Sequence, residues 1–194
     1  MYYAFDRDCI GRWIEEPDGD ISDVDWFYWR RGSALTVPPP TPLKFTLQPY
    51  NPYSEDDSHH MPSFLNAAAP IFSDELISAL RECGVDSLDV YDLELTDPDS
   101  DQVYTHYKVV NIVSLVSAAD MKRSIVTGHG PTNSALYDVD FDRLVVDPGR
   151  TKGHNFFRLA ESTNMLIAHE SVKQHLQAKG FTDLAFYKLG NIAT

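Results

Sequence analysis

Apolar and polar positions follow the clearest periods from residue 71 onward. Leu76, Ile77, Leu80 and Cys83 recur at helical spacing, which predicts a short helix after Ser73. Ser73 can cap it by accepting an orphan backbone N–H, and Asp74 and Glu75 sit at the positive end of its dipole. Phe72 and Ile77 have the spacing of a hydrophobic staple, and Gly84 suits the left-handed position that ends a helix. Leu88, Val90, Leu93 and Leu95 then predict a strand over 88–95. The same pattern returns near the end of the chain. Ser171 and Gln174 have capping-box spacing; Val172, Leu176 and Ala178 lie along a second helix closed by Gly180. Residues 181–187 then parallel 85–91, each run ending Leu-x-apolar-Tyr. A helix–strand unit is therefore expected twice.

Between the two copies, residues 97–101 (DPDSD) read as a polar turn and 102–113 as a β-rich run, together a hairpin with the preceding strand. LVVD (144–147), FFRLA (156–160) and NMLIAH (164–169) are further strand candidates, and 127–131 reads as a glycine-rich loop. Before residue 71 the signals are Tyr2–Phe5 and 43–47 as strands, a proline cluster at 38–42, and a long surface loop over 48–62. The expected class is α+β: a mixed or antiparallel sheet with a few short capped helices. The first 70 residues lack strict βαβ alternation, which argues against a doubly wound parallel sheet. One domain over 1–194 is expected, with an acidic subregion 1–70 packed on 71–194.

Charge adds a location. The net charge is −13, but residues 1–101 hold 21 acids against 6 bases, while 102–194 hold 8 acids against 10 bases. Such a balance argues against nucleic acid, which is bound through excess Lys and Arg, and against an anionic membrane surface. No run of 18 apolar residues exists, and the first residues lack a signal-peptide pattern. With only Cys9 and Cys83, the composition suits a reduced, cytoplasmic protein.

Catalytic and metal motifs are sparse. His169-Glu170 opens like H-E-x-x-H, but Lys173 stands at the fifth position and His175 falls on another face. Asp97, Asp99 and Asp101 begin like a calcium loop, but Gln102 and Lys108 replace its glycine and glutamate. Cys83 lies on an apolar helical stripe, as a small hydrophobe rather than a nucleophile. His59 and His60 sit beside Glu55, Asp56 and Asp57 in the long loop, and His129 sits among glycines. These two histidine groups and His154 keep open a small hydrolase or metal-dependent enzyme as one alternative; a regulatory interaction module is another. No catalytic residue, cofactor or metal ligand is assigned.

The order of features resembles one family. It runs from an aromatic first strand (Tyr2, Tyr3, Phe5) through Trp29-x-x-Gly32-x-x-Leu35 and a proline-rich stretch to the helix unit from Ile71 to Gly84. It continues through YKVVNIV (107–113), Asp120 and Ser124, then LVVD and FFRLA, into the run from Met165 to Leu189. This resembles the Myxococcus-type immunity proteins of polymorphic-toxin systems. The resemblance implies a non-enzymatic antidote that neutralises a toxin delivered, for example, by type VI secretion, and it supplies no catalytic residues. The acids suggest where the toxin would dock. Glu15, Glu16, Asp18, Asp20, Asp23 and Asp25 with Tyr28 form one candidate surface, and Asp89, Asp92, Glu94, Asp97, Asp99 and Asp101 another. The partner would present a basic surface. Trp26 and Trp29 read as core rather than as interface anchors.

Overall fold

A computed structural model describes residues 1–8, 11–15, 29–55, 58–67, 69–129 and 138–190. The elements run β1 (Tyr2–Arg7), β2 (Leu43–Thr46), β3 (Phe64–Asn66), β4 (Pro70–Ser73), α1 (Asp74–Glu82), β5 (Leu88–Thr96), β6 (Val103–Tyr104) and β7 (Tyr107–Ile112). They continue with β8 (Leu115–Val116), β9 (Ile125–His129), β10 (Val139–Arg143), β11 (Phe156–Leu159), β12 (Leu166–His169), α2 (Glu170–Ala178) and β13 (Leu184–Lys188). The class is α+β, with two mixed sheets and two short helices among the described residues.

The first sheet has the order β13-β1-β12-β11-β8, and the second β2-β5-β7-β4-β3 with β6 also on β5. β9 and β10 pair separately. The helix–strand recurrence of the sequence is part of a larger one. In the second sheet β4 and β5 flank β7, antiparallel to it, and α1 links them. In the first, β12 and β13 flank β1 in the same way, and α2 links them. Even the register repeats: Leu88 faces Ile112 and Val90 faces Val110, as Leu184 faces Arg7 and Phe186 faces Phe5. The central strand comes from different places in the chain. β7 follows its unit, whereas β1 is the start of the chain threaded between β12 and β13.

Strand alternation explains the layering. Leu88, Val110, Ile112 and Phe72 from one sheet, with Phe5, Phe156, Leu166 and Leu184 from the other, join the helix residues Leu76, Leu80, Val172 and Leu176 in a central core. The opposite face of the first sheet buries Ala4, Phe157, Leu159 and Ile167 with Phe141 of β10. The opposite face of the second buries Ile71, Leu93, Leu95 and Val109 under Trp29 and Ile14.

Trp29 is 1% exposed and meets Tyr91 edge-on at 5.3 Å, so it fills the core. Gly32 has a φ of 63°, and a Cβ there would lie 2.7 Å from Leu115 Cβ. Asn111 Nδ2 donates to the Ser33 carbonyl at 2.8 Å, and Leu35 packs on the same core as Trp29. The Trp29-x-x-Gly32-x-x-Leu35 motif is therefore a strap over the second sheet. Trp26 lies outside the described residues.

Both helices end as expected, with Gly84 and Gly180 at positive φ. Their starts differ from each other. Ser73 Oγ accepts the Leu76 N–H at 3.2 Å, as predicted. α2, however, starts two residues earlier than its capping-box spacing implied. Its cap is His169, whose Nδ1 accepts the Ser171 N–H at 3.2 Å. The Glu170 N–H donates to the Met1 carbonyl at 2.8 Å, and Glu170 Oε2 accepts from the Tyr3 hydroxyl at 2.6 Å. Contacts to β1 thus set the start of the helix. Burial holds the His169 pKa below its usual value, which favours the neutral, accepting imidazole. Ser73→Ala is expected to cost about 1 kcal/mol in urea unfolding, whereas Ser171→Ala should cost less than about 0.5 kcal/mol. Equal losses would show that Ser171 caps α2 after all.

Other expectations shift. β3 and β4 were not predicted, because strands of three and four residues are too short to show a period. Residues 144–147 form only an isolated bridge, Ala119 to Val146, while the strand lies earlier at β10. Of residues 127–131, expected as a loop, 127–129 belong to β9, and 130–131 lie outside the described residues.

Candidate partner-binding surface

The acidic runs were the candidate surface, and tertiary structure sorts them by environment. Asp97 is 7% exposed and faces inward. Arg12, 3% exposed, places Nη2 at 3.2 Å from Asp97 Oδ1, 2.9 Å from Asp99 Oδ2 and 2.7 Å from the Gln48 carbonyl. Asp97 also accepts the Asp99 N–H at 3.0 Å and the Ser100 hydroxyl at 3.0 Å. Burial would raise its pKa, but these hydrogen bonds and Arg12 outweigh burial and hold it below the usual aspartate value. Asp99 Oδ2 accepts the Tyr50 N–H at 2.8 Å. The two aspartates therefore form an internal clamp that ties residue 12, the 48–50 segment and the β5–β6 turn together. The expectation that Asp97 presents its charge to a partner is corrected, and Asp99 is half committed to Arg12.

β5 divides the remaining acids. Asp92 and Glu94 lie on the face shared by Leu88 and Val90, beyond the end of the core, while Asp89 lies on the opposite face. The Asp92 side chain is 73% exposed and 3.4 Å from Lys108 Nζ, which is also 4.0 Å from Asp74. Glu94 is directly opposite Lys44 on β2, at 4.0 Å. Asp101 is exposed at positive φ, and Glu15 is exposed beside Thr46, whose carbonyl accepts its N–H at 2.9 Å. Exposed pairs of this kind contribute little to stability and leave the carboxylates open to solvent. Glu16, Asp18, Asp20, Asp23, Asp25 and Tyr28 lie outside the described residues.

Among the described residues the histidines do not assemble a catalytic set. His60 Nε2 lies 3.7 Å from Asp183 Oδ2, and Ser63 Oγ donates to Asp183 Oδ1 at 3.2 Å. The carboxylate sits between imidazole and hydroxyl, whereas an activated serine needs the imidazole in the middle. His59 stacks on Tyr50 with ring centroids 4.1 Å apart. His154 lines a separate cleft with Asp86 and Ser87. The His129 side chain lies outside the described residues. Cys83 lends its Sγ–H to the Leu80 carbonyl, and burial pushes its thiol pKa up, away from thiolate chemistry. Among the described residues no three His, Cys, Asp or Glu side chains gather as metal ligands, and no helix is long and apolar enough to cross a membrane.

Comparison with known proteins adds one finding. No curated protein matches the chain. The model of an immunity protein family, Imm11, matches residues 29–191. The match starts at Trp29, the buried anchor of the strap, and runs past β13. It therefore covers the second sheet, both helices and every strand of the first sheet except β1, and the chain belongs to the Imm11 immunity protein family.

Proposed function

We propose that this protein is a cytoplasmic, non-enzymatic inhibitor that neutralises a cognate secreted antibacterial toxin by direct contact. The observation that carries the reading is membership of the immunity family over residues 29–191. The surface supports it: Asp92, Glu94, Asp101 and Glu15 remain solvent-facing, in a chain of net charge −13. A toxin that acts on an anionic substrate would carry the basic surface this acidity complements. Glu16 to Asp25 would extend the contact.

Co-purification with the protein encoded beside it tests the binding itself. Absence of a complex would reject the assignment of that neighbour as toxin. Charge steering is tested separately by association kinetics. The double variant Asp92→Lys with Glu94→Lys should slow association about 10-fold at low ionic strength and much less in high salt. An association rate that neither salt nor this variant changes would remove Asp92 and Glu94 from the interface.

A further inference from the structure

Beside the stacked rings of Phe5 and Phe64, between the two sheets, lies a cavity of about 280 Å³. Its polar lining includes Arg30, Asn66, Arg158 and Asn164. Arg158 sits on β11 with its side chain 3% exposed. One end of its guanidinium is committed, since Nη1 donates to the Thr163 carbonyl. Its Nε–H is buried and has no acceptor. No carboxylate forms an ion pair with Arg158 among the described residues; Arg12, by contrast, pairs with two and Arg150 with one.

A buried cation without a counter-charge is costly, because the interior replaces neither its hydration nor its ion pair. Arg30 adds a second positive charge to the same cavity. Burial, with a smaller contribution from Arg30, lowers the Arg158 pKa to about 10, so the guanidinium is still charged at neutral pH. Asp6 also lines the cavity but does not supply the missing partner. Its Oδ1 accepts the Arg7 N–H at 2.8 Å, and burial raises its pKa.

We propose that this cavity is an oxyanion-binding site, in which Arg158 and Arg30 hold one carboxylate or phosphate group. A guanidinium edge matches such groups with parallel charge-assisted hydrogen bonds. The volume falls below the usual range for drug-sized ligands, about 300–1,000 Å³, so the occupant is a single small anionic group. The site is unusual for this molecule, since a net charge of −13 repels anions from the surface at large. The anion is either free in solution or a carboxylate offered by the toxin, and only the second source rests on the function proposed above.

The test is thermal unfolding of the full chain in sodium phosphate and in sodium acetate, against sodium chloride at matched ionic strength. Near saturation, at least one of the two oxyanions should raise the midpoint by about 3 °C or more. Arg158→Met should fold, since an apolar side chain replaces an unpaired charge, and should abolish the increment. Arg30→Gln alters a partly exposed residue and should weaken anion affinity about ten-fold. It carries the test if Arg158→Met does not fold. Equal midpoints in all three salts, or a full increment in both variants, would overturn the site and mark any shift as an adventitious ion only. A second arm separates the sources. If the anion belongs to the toxin, Arg158→Met also weakens toxin binding; if the anion is free, toxin affinity is unchanged while the salt-specific increment is lost.

Discussion

Replacing Arg12 by alanine is expected to destabilise the protein by about 3 kcal/mol, read as a lower midpoint in urea with an unchanged slope. The size follows from what the side chain does. Arg12 is buried and bridges two carboxylates and a backbone carbonyl from two separate segments. Its removal leaves Asp97 buried without its counter-charge, which costs more than losing a surface pair. Asp97→Asn should produce a loss of the same order, because Arg12 then keeps only the half-exposed Asp99. A loss below about 1 kcal/mol in both variants would show that the clamp is solvated and ordinary. The pair also has a pH signature. The folded-state pKa of Asp97 is depressed below the ordinary 3.8. Its contribution is therefore fully present above that value and is lost as pH falls through the lower, folded pKa. The stability gap between the wild type and Asp97→Asn should narrow below about pH 4. A gap constant down to pH 2 would show that Asp97 is not the group concerned.

Phe5→Ala is expected to cost about 3–5 kcal/mol, the usual range for a large aromatic cut from a packed core. Phe5 is 4% exposed. Its ring stacks on Phe64 at 5.6 Å and meets Phe72 edge-on at 6.3 Å, both from the second sheet. It meets Phe156 at 5.1 Å and Phe186 at 5.5 Å, both from the first. One side chain thus joins the two sheets, and its loss would also enlarge the cavity beside Arg158. Phe5→Leu keeps most of the volume and should cost less than half as much. Equal losses for the two substitutions would place the energy in ring geometry rather than in filled volume. Chemical denaturation of both variants decides this.

Part of the architecture was legible wherever the controlling interactions are local. The Ser73 cap, the apolar stripe of α1, Gly84 and the alternation of β5 all depend on residues within one or two turns of each other. So did the recurrence of a helix–strand unit. The two capped helices were read alike, yet α2 starts at Glu170 because β1, from the far end of the chain, supplies the Met1 carbonyl and the Tyr3 hydroxyl. Short β3 and β10 carry too few residues for a period to show.

The candidate surface was legible only as a set of charges. Sequence spacing cannot distinguish Asp92 from Asp97, since both lie in one acidic run. Tertiary structure sends one to solvent and folds the other against Arg12, 85 positions away. The oxyanion cavity had no signal at all, because Arg30 and Arg158 lie far apart in the chain and line one cavity only in the folded protein.

By itself, then, the sequence determined the α+β class, the capped helices, the twice-used unit, the concentration of acid before residue 102 and the family resemblance. Each of these rests on local periodicity, local capping or simple counting. Only the tertiary structure decided which acids face water, how β1 completes the second copy of the unit, and where an unpaired arginine is left inside. Those outcomes depend on contacts between distant segments, and desolvation at such contacts gives identical side chains opposite roles.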